Sequence, residues 1–213
     1  MYEAIVLDLG GVVVDFDPRS FLMERLCNES RENQVFDLVF GSKLWQELDA
    51  GLITRAEANR QIMEQAREQG LAFETQAILD DWPQMLHTRR RTVELMKQLK
   101  KQGYALYYLS NIAPDTLDMI KERDFWRLFT GGLASCEVQI NKPDPRIYQE
   151  FLRRTGLSSD SIVFVDDNKA NVQAAFEQGI AGIHYKGYNS FVKALGACGI
   201  HLKEPLVSRS TKE

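Results

Sequence analysis

The sequence predicts an α/β fold: a three-layer parallel sheet whose first strand is separated from the others by an inserted all-helical subdomain. Three observations carry this. The apolar run Ala4-Ile5-Val6-Leu7 stops at Asp8 and the glycine pair Gly10-Gly11, the pattern of a short strand buried on both faces. About 65 residues follow, from near Pro18 to Trp82, with helical periodicity and no strand pattern, too long for a simple crossover. Strands and helices then alternate as far as Tyr185, as parallel strands joined by crossover helices require.

Taken in order, Val12-Val13-Val14 is β-branched and Asp15-Phe16-Asp17-Pro18 is a turn signal, so a short β-excursion is expected over the end of the first strand. Ser20 to Leu26 has helical spacing. Val35, Phe36, Val39 and Phe40 mark one face of a second helix, and Leu44, Trp45 and Leu48 one face of a third before Gly51. Thr54-Arg55-Ala56-Glu57 is a capping box that opens a helix to about Gly70. Phe73 to Trp82 is expected as a helix ended by Pro83. Thr92 to Gln102 is an amphipathic helix stopped by Gly103. A strand over Tyr104–Leu109 ends at Ser110-Asn111, and a helix covers Pro114 to Arg123. Phe129 to Ser135 reads as a weak, glycine-interrupted strand. The loop Asn141-Lys142-Pro143-Asp144-Pro145 feeds a helix from Arg146 to Arg154. Ser161 to Val165 is a strand ending at Asp166-Asp167. A helix over Lys169–Gln178 and a strand over Ala181–Tyr185 complete the pattern. The expected organisation is a discontinuous Rossmann-like core (residues 1–16 and 84–203), a helical cap (17–83) and a polar tail (204–213).

Composition narrows the function. A net charge of -4 argues against a general nucleic-acid binder, which needs a basic surface. Cys27, Cys136 and Cys198 form no CxxC pair, so neither a zinc site nor a disulfide framework is expected. Glu3 and Asp8 interrupt the N-terminal apolar stretch, which excludes a signal-peptide reading, and no run is long enough to span a bilayer. A cytoplasmic protein is expected, a monomer or weak homodimer without nucleic-acid or membrane partners.

The chemistry lies at the ends of the strands. Parallel strands bring their C-terminal ends to one rim of the sheet, so Asp8, Ser110-Asn111, Lys142 and Asp166-Asp167 should converge there. Three carboxylates and one lysine repel unless a cation sits among them, and oxygen-only ligands point to magnesium. A magnesium ion beside a lysine makes a receptacle for phosphate.

This set, in this order, resembles the haloacid dehalogenase superfamily of hydrolases, in the form that carries a helical cap after the first strand. The likeness covers about Ala4 to Tyr185. D-x-G or a paired aspartate is common by chance; all four motifs at these spacings, with a helical insert in the right place, are specific. The resemblance implies that Asp8 is the nucleophile and forms an aspartyl-phosphate. Ser110, with Asn111 in support, would hold the phosphoryl group, and Lys142 would offset charge on nucleophile and phosphate. Magnesium would be held by Asp8, the Gly10 carbonyl, Asp167, and Asp166 directly or through water. Asn168 is a further support candidate, and Asn171 is expected to cap or orient the helix after the acidic pair.

One position departs from the family pattern. Phosphatases of the superfamily usually carry a second aspartate two residues after the nucleophile, which protonates the leaving oxygen and later activates water. Here that position is Gly10. Asp15 or Asp17 is the candidate substitute acid. Good leaving groups should suffer least from the loss, and the D-L-G start with the D-D-N loop is similar to sugar-phosphate phosphatases, favouring a small phosphorylated metabolite such as a hexose 1-phosphate. Two rivals remain open: a metal-independent 2-haloacid dehalogenase, which also lacks the second aspartate, and a catalytically impaired binding module. Arg89-Arg90-Arg91 reads as a solvated helix start. His87, His184 and His201 have no metal-ligand spacing, and Trp45, Phe36 and Phe40 read as cap core. Some residue between Asp17 and Asp49 is expected to contact the substrate, because a cap must exclude water during transfer.

Overall fold

Strand β1 (Ala4–Leu7) lies at the centre of a five-stranded sheet, which explains why each of its positions is apolar. Ile5 and Leu7 enter one hydrophobic core, while Ala4 and Val6 enter another on the opposite face, the two-residue alternation of a strand covered on both sides. The structure, a computed structural model, describes residues 2–202; the polar tail expected over 204–213 lies outside the described residues. Strands β2 (Ala105–Ser110), β3 (Gly131–Ala134), β4 (Ile162–Asp166) and β5 (Ala181–His184) complete the sheet. Their order is β3-β2-β1-β4-β5, and each neighbouring pair is parallel. Leu7 pairs with Tyr108 on one side and Val165 on the other, so Asp8, Ser110 and Asp166 emerge at one rim. The chain turns outward in both directions from β1, the arrangement that leaves a crevice at the strand ends of an open sheet.

Six α-helices lie between β1 and β2, and the first five form the insert: α1 (Pro18–Leu26), α2 (Glu29–Leu38), α3 (Lys43–Asp49), α4 (Arg55–Glu68) and α5 (Ala72–Asp81). The side chains of Asp17, Asn28, Ser42 and Thr54 accept backbone N–H bonds at the starts of α1 to α4, satisfying donors a helix start leaves open. These helices bury a core of their own, including Phe21, Leu22, Val35, Trp45, Ile62, Ile78 and Trp82. On the sheet itself, α6 (Arg90–Lys101) packs Leu95 and Leu99 against the Ile5 face, as α7 (Pro114–Lys121) does with Leu117 and Ile120. The other face is covered by α8 (Pro145–Thr155) and α9 (Lys169–Glu177) through Ile147, Tyr148, Phe151 and Ala175. The last helix among the described residues, α10 (Tyr188–Ala197), returns to the first face with Phe191 and Leu195. Among the described residues no helix is long and apolar enough to cross a membrane.

Local differences from the sequence expectations have physical causes. Val12 and Val13 are fully buried but lie in a turn, closed by bonds from the Val13 and Val14 N–H groups to the Leu9 carbonyl. Only isolated bridges, Gly10–Val14 and Val14–Thr88, remain of the expected β-excursion; burial selected β-branched residues there without a ladder. Helix α5 stops at Asp81, and the chain runs on through Pro83 as a 3-10 turn, Trp82–Met85, whose early position needs no proline N–H. Helix α10 was not anticipated: it starts after Gly187 with no side-chain cap, so the usual boundary signal is missing.

Candidate active site

Asp8 follows β1 directly, and its backbone N–H bonds the Val165 carbonyl of β4 at 2.9 Å. One carboxylate oxygen accepts the N–H of Leu9 at 2.7 Å, and the other lies 3.0 Å from Lys142 Nζ. Lys142 reaches the site from the loop before α8, with a fully buried side chain. Its ammonium donates to the Leu109 carbonyl (2.8 Å) and Asp166 (2.6 Å) besides contacting Asp8, so all three protons are engaged. Asn111 holds that loop: its amide donates to the Lys142 carbonyl and accepts the Lys142 N–H, at 2.9 and 2.7 Å. Both of its polar ends are therefore occupied by backbone rather than directed at a ligand.

Asp166 is completely buried. One oxygen accepts the Asn168 N–H (2.7 Å), the other accepts Lys142, and the Asn171 amide lies 3.1 Å from both. Asn168, not Asn171, caps α9; Asn171 orients the carboxylate of Asp166. Asp167, by contrast, is exposed and faces Gly11, where a Cβ would overlap its carboxylate. Gly11 also has φ +71°, a conformation that favours glycine.

Ligand oxygens of Asp8, Asp166 and Asp167 lie within 4.8 Å of one another. Burial, with the charge of Asp166, pushes Asp8 up to about 8, against the opposing pull of Lys142. Burial also raises Asp167, with Asp166 adding to it. One lysine cannot neutralise three carboxylates, and the oxygen donor set is the kind a hard divalent ion takes. The residues present thus fit magnesium: the Asp167 side chain makes no hydrogen bond to another described residue, Asp8 carries one contact on each oxygen, and Asp166 is the most heavily engaged, accepting from Asn168, Lys142 and Asn171; Asp8, Asp167 and the Gly10 carbonyl would hold the ion.

Ser110, at the end of β2, is buried, and its side chain favours the charged form of Asp8. Ser110, Asn111 and Gly10 open onto a cavity of about 60 Å³ between core and cap. Its walls are largely apolar: Val14, Phe16, Trp45, Trp82, Leu86, Ile112 and Ile120. Asp15 and Asp17 are not on this wall. Asp15 pairs with Arg89 at 2.7 Å, Asp17 caps α1, and both line a separate cleft with Ser20, Glu24 and His87. Arg91 stacks on Tyr188, and none of the three histidines lines the cavity.

The carboxylate that does line the cavity is Asp49, at the end of α3. Burial pushes it up to about 7, against Arg55, the Ala113 N–H and the Trp45 side chain, which favour its charged form. The sequence signal was thin: an acidic residue closing a helix two positions before Gly51. Gly51 has φ +68° and packs so closely on Cys136 of the core that a Cβ would come within 2.9 Å of its carbonyl.

Comparison with known proteins places the family and the fold. A model of the haloacid dehalogenase-like hydrolases matches residues 2–179. A sesquiterpene phosphatase, astK, of Aspergillus oryzae is 27% identical over 184 residues, covering 86% of this chain and 89% of that protein. A phosphorylated carbohydrates phosphatase of Thermotoga maritima is 26% identical over 200 residues (85% and 84% covered). An (S)-2-haloacid dehalogenase of a Pseudomonas strain is 27% identical over 180 residues (78% and 75%). Among solved structures, a family enzyme of Bacteroides thetaiotaomicron in complex with magnesium and inorganic phosphate superposes with a TM-score of 0.67 at 23% identity, covering 87% of this chain and 95% of that one.

Proposed function

The chain belongs to the haloacid dehalogenase-like hydrolase family, and on that premise we propose that it is a magnesium-dependent phosphatase acting on a small organic phosphomonoester. The observation that carries this is one buried lysine facing the three clustered carboxylates Asp8, Asp166 and Asp167. Attack on carbon in a haloacid needs no cation, and the cluster of Asp8, Asp166 and Asp167 would then keep more negative charge than Lys142 alone offsets.

Asp8 attacks phosphorus, the bond to the leaving oxygen breaks, and an aspartyl-phosphate results. Ser110 donates to the phosphoryl oxygens. Lys142 offsets the charge of both nucleophile and phosphate. Water then attacks the same phosphorus, returning Asp8 and releasing inorganic phosphate. Magnesium, when bound by Asp8, Asp167 and the Gly10 carbonyl, supplies charge neutralisation and orients the phosphate.

The cavity bears on the leaving group. Of its polar side chains, Asn111 is spent on the Lys142 backbone and Thr116 on Arg55. A hexose would bury hydroxyls with few partners, whereas an apolar group meets Phe16, Trp45, Trp82 and Ile112. Likeness to a sesquiterpene phosphatase supports the same choice. We therefore favour an aryl or isoprenoid monophosphate over the hexose 1-phosphate expected from sequence. The cavity holds only a few waters as it stands, so a bulky substrate enters by displacing the cap.

Phosphate release across a panel of monophosphates, with and without magnesium, tests the reading. Wild type should require magnesium, Asp8→Asn should be inactive, and apolar monophosphates should outpace hexose 1-phosphates in kcat/KM. Chloride release from 2-chloropropionate in a chelator would replace the phosphatase by a dehalogenase.

A further inference from the structure

We propose that Asp49, on the cap, is the general acid and base of this site and performs the proton transfers for which Gly10 has no side chain. The proposal rests on the phosphatase reading above.

Position comes first. Of the described side chains lining the cavity that reaches Gly10 and Ser110, Asp49 is the single carboxylic acid. Serine and threonine hydroxyls are far weaker acids, and an asparagine amide cannot donate a proton to an alkoxide. Asp49 is also fixed against the core. Its carbonyl accepts the Ser135 hydroxyl at 2.5 Å, and the same hydroxyl accepts the Ile112 N–H at 2.9 Å. Ser135 and Ile112 lie just beyond β3 and β2, so the end of α3 is docked on the rim that carries the reacting residues. A neighbouring bond from the Asn141 amide to the Gln46 carbonyl, 2.7 Å, joins the same helix to the loop of Lys142.

The surroundings suit a proton carrier. The charged or titratable groups facing Asp49 are Arg55 of α4, Asp115 of α7, and Cys136 beyond β3. Arg55 does not form an ion pair with it: Nε and Nη2 of the guanidinium go to Asp115 and Thr116 at 2.8 to 3.2 Å. Asp49 is thus enclosed without a dedicated cation, and burial holds it up at about 7, where both protonation states are accessible near neutral pH.

The proton balance closes. As Asp8 bonds to phosphorus and the P–O bond breaks, the leaving oxygen takes the Asp49 proton and departs as an alcohol. In the second step the Asp49 carboxylate takes a proton from the attacking water. The acyl phosphate P–O bond breaks, Asp8 returns as a carboxylate, and Asp49 is again protonated.

Rapid-mixing kinetics test this with p-nitrophenyl phosphate and a primary alkyl phosphate, in magnesium, on wild type, Asp8→Asn, Asp49→Asn and Asp49→Glu. Nitrophenolate leaves without a proton. Asp49→Asn should therefore keep a nitrophenolate burst within about threefold of the wild-type rate, followed by turnover slowed about 10²–10⁴-fold, the usual worth of general acid–base help. The same variant should lose the alkyl phosphate burst by a comparable factor, and Asp49→Glu should restore part of it. Its kcat should also lose the pH limb near 7. Equal loss of both bursts, or alkyl hydrolysis at the wild-type rate, overturns the proposal while the phosphatase reading stands. Wild type and Asp8→Asn releasing phosphate equally would sink both. Where Asp49→Asn lowers the thermal midpoint, Asp49→Ser gives the same comparison.

Discussion

Lys142 holds three acceptors with three protons, and two of them, Asp8 and Asp166, are themselves buried carboxylates. Removing one partner of such a cluster leaves charges stranded, at a cost of about 3–5 kcal/mol. Lys142→Met should therefore destabilise the protein by roughly that amount in urea unfolding, and abolish phosphate release; a change under about 1 kcal/mol would mean that the carboxylates are neutral without it. Gly10 offers the opposite test. Its φ lies outside the left-handed region, and a Cβ would meet nothing closer than Phe16 at 3.4 Å. Gly10→Asp should fold normally and raise kcat for alkyl phosphates, most visibly in an Asp49→Asn background. Residue types at the site were legible because each closes a strand or opens a loop. Their partners were not. No spacing says that Asn111 is spent on the Lys142 backbone, or that Asp166 uses both oxygens inside the protein while Asp167 keeps its own free.

At the scale of elements, the strands were readable because β1, β2 and β4 are apolar runs that stop at a polar residue. Val12–Val14 misled because burial alone accounts for its residue types, and α10 escaped because nothing caps its start. The five inserted helices were legible from their caps and faces. Which of them touches the site was not, since that depends on how the cap sits on the core. One contact governs this. Arg55 of α4 crosses to Asp115 and Thr116 at the start of α7, with its guanidinium 4.9 and 4.8 Å from the Trp45 and Trp82 ring centroids. Asp115 is 43% exposed at its side chain, so its ion pair is worth only about 0–1 kcal/mol. Asp115→Asn should shift KM by less than about fivefold and leave kcat nearly unchanged. Arg55→Ala also empties the space between two tryptophans and should raise KM further, because the cavity wall loses its support; equal KM values for the two variants would show that only the ion pair matters.

Over the whole molecule, the burial of acids makes stability depend on pH in a direction opposite to ordinary acid denaturation. Asp8 is raised to about 8 and Asp49 to about 7, both chiefly by burial. An unfolded aspartate titrates near 4, so between pH of about 4 and 8 the native state binds more protons than the unfolded chain. Stability of the metal-free protein must then fall as pH rises through that window. Carboxylates held low by arginines, Asp144 by Arg146 and Glu150 by Arg153 and Arg154, pull the other way only below about pH 4. A divalent ion competes with those protons and needs ionised ligands, so it binds more tightly at high pH and stabilises most where the metal-free protein is weakest. Thermal unfolding in EDTA should therefore show a midpoint that drops from pH 6 to pH 8, and millimolar magnesium should flatten or reverse the slope. Asp8→Asn should remove most of the EDTA slope and the magnesium response together, since it deletes the shared proton and metal ligand, whereas Asp49→Asn should reduce the slope and leave the magnesium response intact. A flat profile in EDTA, or a magnesium response that survives Asp8→Asn, would place the ion and the titrating carboxyl somewhere other than the end of β1.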